Sequence, residues 1–296
     1  MLDMRLAPVS VSREPTGSPM RLASLLTILW MGLALLGGAA SAGPGVTLYD
    51  LWLAPARYMV GVGEPVVADL FRGTGFEGYP VGVSITGLHR FEILSGEART
   101  GIETAPGTRP AVQEAAPHEG LAILVHESAG AVAAWPEWSD FEHFARAGDF
   151  AWALEDHRDR GLPGTGFRMA CVHYAKALVA VGTGEGKDHP VGLEAEIVAL
   201  ANPYTDDLSA GIPVRVLYQG KPRRSLRMML DLRFPDGTLS ERVGWSDVDG
   251  VLRLPHEPGA EYLVKAVVLR PLAGNGGGID PVWETLWTTL SFRAPG

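Results

Sequence analysis

The sequence predicts a mainly β protein of two β-sandwich domains, the first carrying a helical insertion, the second immunoglobulin-like or transthyretin-like. Three observations predict it. The 296-residue chain holds 37 glycines and 22 prolines, and the frequent turns this implies suit many short strands. Short runs such as Ser225–Phe234 alternate apolar and polar residues at the period of two that a half-buried strand requires. Residues 139–160 alone switch to a helical period.

Taken in order, residues 1–42 read as a signal peptide, with residues 1–19 a polar extension ahead of a second candidate start at Met20. Met20-Arg21 supplies the charged region, Leu22–Leu36 the apolar run, and Ala40-Ser41-Ala42 the small-residue cleavage site. The apolar run is shorter than the roughly 20 residues a membrane span needs, so no span is expected after cleavage. Leu48–Pro55 opens the mature chain as a first strand on which later strands pack. Residues 57–128 alternate strands with Gly- and Pro-rich turns, ending in the buried strand Gly120–Glu127.

The helical insertion 139–160 shows a capping-box pattern, Ser139 as N-cap and Glu142 three residues on, with Asp149 restarting the helix after Gly148. Ala177–Val181 and Leu193–Leu200 follow as strands and complete a first domain at 43–201. Residues 202–296 read as a second sandwich. It has strands at Ile212–Tyr218, Ser225–Phe234, Val251–Leu254, Glu261–Leu269 and Trp283–Phe292, and turns at Pro235–Thr238, Ser246–Gly250 and Ala273–Gly278.

Composition excludes several functions. The formal charge is −9, and loss of residues 1–42 makes the remainder one unit more acidic, so nucleic acid is not an expected partner. The single cysteine, Cys171, rules out an internal disulfide and a Cys-rich metal site, and reads as a small buried hydrophobe. Thr74–Gly78 lacks the lysine and the following helix of a phosphate-binding loop, and no nucleophile elbow is present. Ser246–Gly250 lacks the later acidic ligands of a calcium loop and reads as a hairpin turn.

Four stretches together resemble a known family. They are Tyr49-Asp50-Leu51-Trp52-Leu53-Ala54-Pro55, then Tyr174-Ala175-Lys176-Ala177-Leu178-Val179, then Gly192–Val198 with Asn202-Pro203-Tyr204, and Gly220-Lys221-Pro222 with Asp249-Gly250. In this order they resemble a family of secreted bacterial proteins built on a domain of unknown function. Its members often carry the label of a periplasmic component of nickel or cobalt uptake. The resemblance implies a periplasmic or secreted location and a metal ion or periplasmic protein as partner. It also puts forward Asp50, Trp52, Tyr174 and Lys176 as binding residues. Two departures stand out. The family's opening histidine is Tyr49 here, and a second is replaced near Val268-Leu269. A phenol stays neutral to about pH 10 and is a poor nickel ligand, whereas imidazole suits that metal.

Among the residues themselves, no histidine pair has metalloprotease spacing, so a metal site must be assembled by the fold. His126, ending a buried strand, and His173, preceding another, are the best candidates for a nickel or cobalt ion. His143 and His157 read as solvated residues of the helical segment. Trp135, Trp138, Trp152, Trp283 and Trp287 fit either core anchors or a ligand platform. The expected function is an exported, non-enzymatic binding protein accessory to transition-metal acquisition, with no catalytic residues. The alternatives are an adhesive sandwich module that binds protein or glycan, and a hydrolase whose site is built from His126, His173 and acids.

Overall fold

The computed structural model describes residues 48–84, 87–274 and 279–296. The expected signal peptide and part of the 273–278 glycine loop lie outside them. In chain order the strands begin with β1 (Asp50–Pro55), β2 (Met59–Val60), β3 (Pro65–Thr74), β4 (Glu77–Val81), β5 (Leu88–Ser95), β6 (Ala98–Gly101), β7 (Val112–Ala115), β8 (Gly120–Ser128) and β9 (Ala131–Trp135). Two helices follow, α1 (Trp138–Ala147) and α2 (Trp152–Asp159). Then come β10 (Phe167–Val181), β11 (Ala195–Ala199), β12 (Ile212–Tyr218), β13 (Lys221–Pro222), β14 (Arg227–Arg233), β15 (Leu239–Trp245), β16 (Val251–Leu254), β17 (Glu261–Pro271) and β18 (Trp283–Arg293).

The protein is mainly β, as expected, and its strands form three sheets. A central sheet of ten strands runs β15-β14-β17-β18-β10-β8-β5-β6, with β2 and β9 also on β10. The fifteen-residue β10 is its hub. β10 pairs in parallel with β18 from Met169↔Trp283 to Ala177↔Ser291, and antiparallel with β9 and then β8 on its other side. Because successive side chains of a strand point to opposite faces, the central sheet buries both. Tyr174 and Leu178 of β10, Leu286 and Leu290 of β18 and Val264 of β17 join the core beneath the sheet formed by β11, β12, β13 and β16. Ala175, Ala177 and Val179 pack instead with Leu51, Leu53, Val66 and Leu70 of β1 and β3. Further along this second face, Phe167, Met169 and Trp283 pack under the helices, against Phe141, Ala145 and Leu154. The result is three layers around one shared sheet. The expected domain boundary at 201/202 falls between β11 and β12, which pair from Ala195↔Tyr218 to Ala199↔Val214.

The helical segment departs from its sequence reading at both ends. The N-cap of α1 is Glu137, and no side chain caps it, so Ser139 and Glu142 do not form a capping box. Glu142 instead pairs with Arg146 one turn on. Asp149 does not cap α2, whose N-cap is Ala151. It sits at φ 66° and accepts a hydrogen bond from Trp245 Nε1 (3.1 Å). The two helices are held mainly by an aromatic core, which overrides local capping preference. His157, expected to be solvated, is buried in that core. Trp283 Nε1 donates to His157 Nδ1 (3.0 Å), which leaves His157 Nε2 as the nitrogen that donates to Pro163 O (3.0 Å). Burial pushes its pKa down.

Two buried lysines pin the layers. On the face toward β11, Lys176 donates to Asp188 Oδ1 (2.8 Å) and Glu196 Oε1 (2.9 Å). Asp188 also accepts from Ala199 N and Glu196 from Val191 N (2.8 Å each), so the charges are fully hydrogen-bonded. Asn202 donates to the carbonyls of Gly184 and Gly186 and accepts from Tyr204 N, while Tyr204 Oη donates to Leu178 O. On the other face, Lys265 pairs with Asp50 (3.0 Å) and Asp231 (2.6 Å). Thr289 and Ser291 of β18 donate to the carbonyls of Leu51 and Leu53. Together they seat β1 across β17 and β18.

Removing a lysine from such a cluster leaves buried carboxylates uncompensated, and burial already holds the Asp188 carboxyl above its usual range. Lys176→Met is therefore expected to lower unfolding free energy by about 3–5 kcal/mol in urea titrations. A loss below about 1 kcal/mol would show that Asp188 and Glu196 are not desolvated.

Candidate functional site

A cleft of about 720 Å³ opens where α1 lies over the second face of the central sheet. Its size is that of a small-molecule site. Strand alternation supplies the floor: Trp287 from β18, Val267 from β17, Met229 and Arg227 from β14. Helix α1 contributes Phe144 and Ala147 to the wall and the exposed Asp140 and His143 to the rim. Trp135 ends β9, Phe150 lies between the helices, and Leu48 and Thr74 close the side toward β1 and β3.

The lining is largely apolar, and the side chains of its few polar residues show no protein partners among the described residues. The indole nitrogens of Trp135 and Trp287 are both buried, and neither finds an acceptor among the described residues. Trp135 is held rigidly, its ring 5.4 Å from Phe141 and 5.5 Å from Phe144. Trp287 stacks on His173 at 6.0 Å and 23°. A buried N–H without an acceptor costs about 1–3 kcal/mol. The half-buried Arg227 likewise makes no ion pair or side-chain hydrogen bond among the described residues.

A second concavity, about 790 Å³, lies among Arg57, Tyr58, Arg233, Glu261 and Arg293. Its polar groups are already matched. Tyr58 Oη donates to Glu261 Oε1 (2.6 Å), Arg233 pairs with Glu261, and Arg293 Nε donates to Gly259 O (3.0 Å). It presents no unmet hydrogen-bonding demand of the kind found under α1.

The two histidines singled out in the sequence lie behind the cleft. His173 Nε2 hydrogen-bonds Tyr49 O (3.1 Å), and its ring backs Trp287. His126 packs edge-on against Phe91 at 5.4 Å, and its Nδ1 is buried without a partner. Burial pushes each imidazole down to about 4, and for His126 the neighbouring His173 adds to the shift. Both are neutral at pH 7, the form that ligates metals. Among the described residues, however, no group of three or more His, Cys, Asp or Glu side chains could hold a metal ion.

The four binding candidates are dispersed. Asp50 is the partner of Lys265 and also accepts from Gly75 N (3.3 Å). Trp52 stacks on Phe71 at 5.4 Å, away from the cleft lining. Tyr174 and Lys176 face the opposite side of the central sheet, where burial raises the Tyr174 phenol and Lys176 holds Asp188 and Glu196. The sequence grouped Trp135 and Trp287 with Trp138, Trp152 and Trp283 as core anchors or a platform, and these two line the cleft. Sequence reasoning missed Arg227, Met229 and Val267, which carry no motif and meet only through the ladder of β14 on β17.

The model of the family described as "Domain of unknown function (DUF4198)" matches residues 49–270. No curated protein matches the chain. Among solved structures, the chain is similar to the crystal structure of a tetra-tandem repeat in the extending region of a large adhesion protein, at 9% identity and a TM-score of 0.19. That match covers 83% of this chain and 49% of the other, so the chain spans about half the length of that structure. A likeness at this level carries no argument about fold or function.

The histidine pair makes a pH prediction. With folded pKa values near 4 against 6.5 unfolded, the folded chain binds fewer protons than the unfolded one between those limits. Stability is therefore complete above pH 6.5 and is lost as pH falls toward 4, by roughly 3 kcal/mol for either histidine. His126→Leu removes an unpartnered buried nitrogen, so it is expected to flatten that loss while leaving stability at pH 7 within about 1 kcal/mol. Urea titrations at pH 7, 5.5 and 4.5 check this, and an unchanged slope in the variant would contradict it.

Proposed function

We propose that this chain, which belongs to the DUF4198 family of domains of unknown function, is an exported, non-enzymatic binding protein. Its cleft under α1 takes a small organic ligand with an apolar body and a hydrogen-bond acceptor. The observation that carries this reading is an apolar cleft lined by Trp135 and Trp287, whose buried indole N–H groups have no acceptor among the described residues. An indole donates and never accepts, so the matching ligand group is a carbonyl, hydroxyl or acid oxygen. Export rests on the charged start, apolar run and Ala-x-Ala site of residues 20–42. Among the described residues no helix is long and apolar enough to cross a membrane.

A neutral solvatochromic ketone, 6-propionyl-2-dimethylaminonaphthalene, tests the reading. It pairs an aromatic body with one carbonyl acceptor. Its emission is expected to shift to the blue on binding. Trp135→Phe and Trp287→Phe keep an aromatic side chain but remove the indole N–H with its pyrrole ring, and each is expected to weaken binding about fivefold or more, at least the worth of one neutral hydrogen bond. Ala147→Trp, which fills the wall from exposed helix, is expected to abolish binding. Absence of binding, or binding indifferent to all three substitutions, would overturn the proposal.

A role accessory to nickel or cobalt acquisition is the second reading. One observation favours it: His126 Nδ1 is unpartnered beside a second neutral imidazole, His173. Metal bound at a hundred times its dissociation constant stabilises a protein by about 2.7 kcal/mol. A rise in melting temperature with nickel or cobalt, lost in His126→Ala or His173→Ala, would support this reading. No rise with either ion would remove it.

A further inference from the structure

We infer that the cleft selects an anionic ligand, a carboxylate or similar oxyacid on a compact apolar or aromatic body, with Arg227 as the residue that reads the charge. The inference rests on the small-molecule reading of the cleft and adds the ligand's chemical class. Arg227 lies on the same face of β14 as Met229, so its guanidinium shares the cleft with the apolar floor. It is half-buried and has no acidic partner among the described residues, as is also true of Arg168 and Arg215, but of these three only Arg227 lines the cleft. A guanidinium always carries its charge and presents a planar fork that matches a carboxylate. Burying it partly without a partner is costly in a chain whose net charge is −9.

The surrounding charges sharpen the selection. Asp140 stands on the rim of the same cleft. Asp149, near the other side of Arg227, is engaged by Trp245 Nε1. Anions that stay at the mouth meet the exposed Asp140, while an oxyacid that reaches the floor meets Arg227. A neutral ligand of the same shape makes no charge-assisted bond to Arg227. A cation gains Asp140 at the rim and loses at the floor.

The test is competition against the neutral naphthyl ketone by two isosteric displacers, 2-naphthoate and 2-naphthamide. The carboxylate is expected to displace the probe at about a tenfold lower concentration or better, the difference between a charge-assisted and a neutral hydrogen bond. This preference should shrink as salt is raised. In Arg227→Gln the two displacers are expected to act at the same concentration. In Asp140→Asn, a change on exposed helix, the preference for naphthoate is expected to widen. Equal displacement by acid and amide in the unaltered protein, or an acid preference that survives Arg227→Gln, would overturn the inference while leaving the cleft as a binding site. If the ketone itself does not bind, both the site and the inference fall together.

Discussion

The parallel ladder between β10 and β18 is the constraint on which the rest depends. A parallel pair cannot be closed by a tight turn and needs a long connection. Here the connection is most of the carboxy-terminal half, β11 to β17, and it packs back over one face of the pair and along the free edge of β18. The register from Met169↔Trp283 to Ala177↔Ser291 fixes which residues reach which face. A slip of one residue would send Lys176 to the apolar side facing β1 and expose Leu286 and Leu290 to the wrong layer. The buried ion clusters make such slips costly, because each lysine finds its carboxylates only in the observed register.

That register also builds the cleft. His173 and Trp287 face each other across the ladder, so that His173 backs the Trp287 ring of the floor. Lys265 holds β1 down through Asp50, which brings Leu48 to the edge of the same space. Helix α1 roofs it because Phe141 and Ala145 are committed to the core, leaving Phe144 and Ala147 to line the opening. Preorganised donors on a rigid frame favour binding, because little ordering remains when a ligand arrives.

The fold was legible in the sequence where its physics is local. The strands at Ser225–Phe234, Glu261–Leu269 and Trp283–Phe292 emerge within one to two residues at each end of β14, β17 and β18, because alternation and turn residues agree there. Tertiary packing decided the rest. Ser139 and Glu142 had the right spacing for a cap, yet the aromatic core around Trp135 set the start of α1 earlier. His157 looked solvated by its neighbours and is buried by a partner 126 residues away, Trp283. The motif residues Lys176, Glu196, Asn202 and Tyr204 proved to be hydrogen-bonding braces of the layers, which accounts for their chemistry without a ligand. Arg227 gave no signal, since a lone arginine on a strand reads as a solvated charge until its neighbours are known.

The most direct test of the account is a nitrogen-15 spectrum of the tryptophan indole groups, recorded with and without saturating naphthyl ketone. The chain has eight tryptophans, and those other than Trp135 and Trp287 serve as internal references. The account predicts that the Trp135 and Trp287 indole protons move downfield on binding as they gain an acceptor, while the Trp283 proton, already bonded to His157, stays in place. Saturation of the protein with both of these resonances unmoved would contradict it.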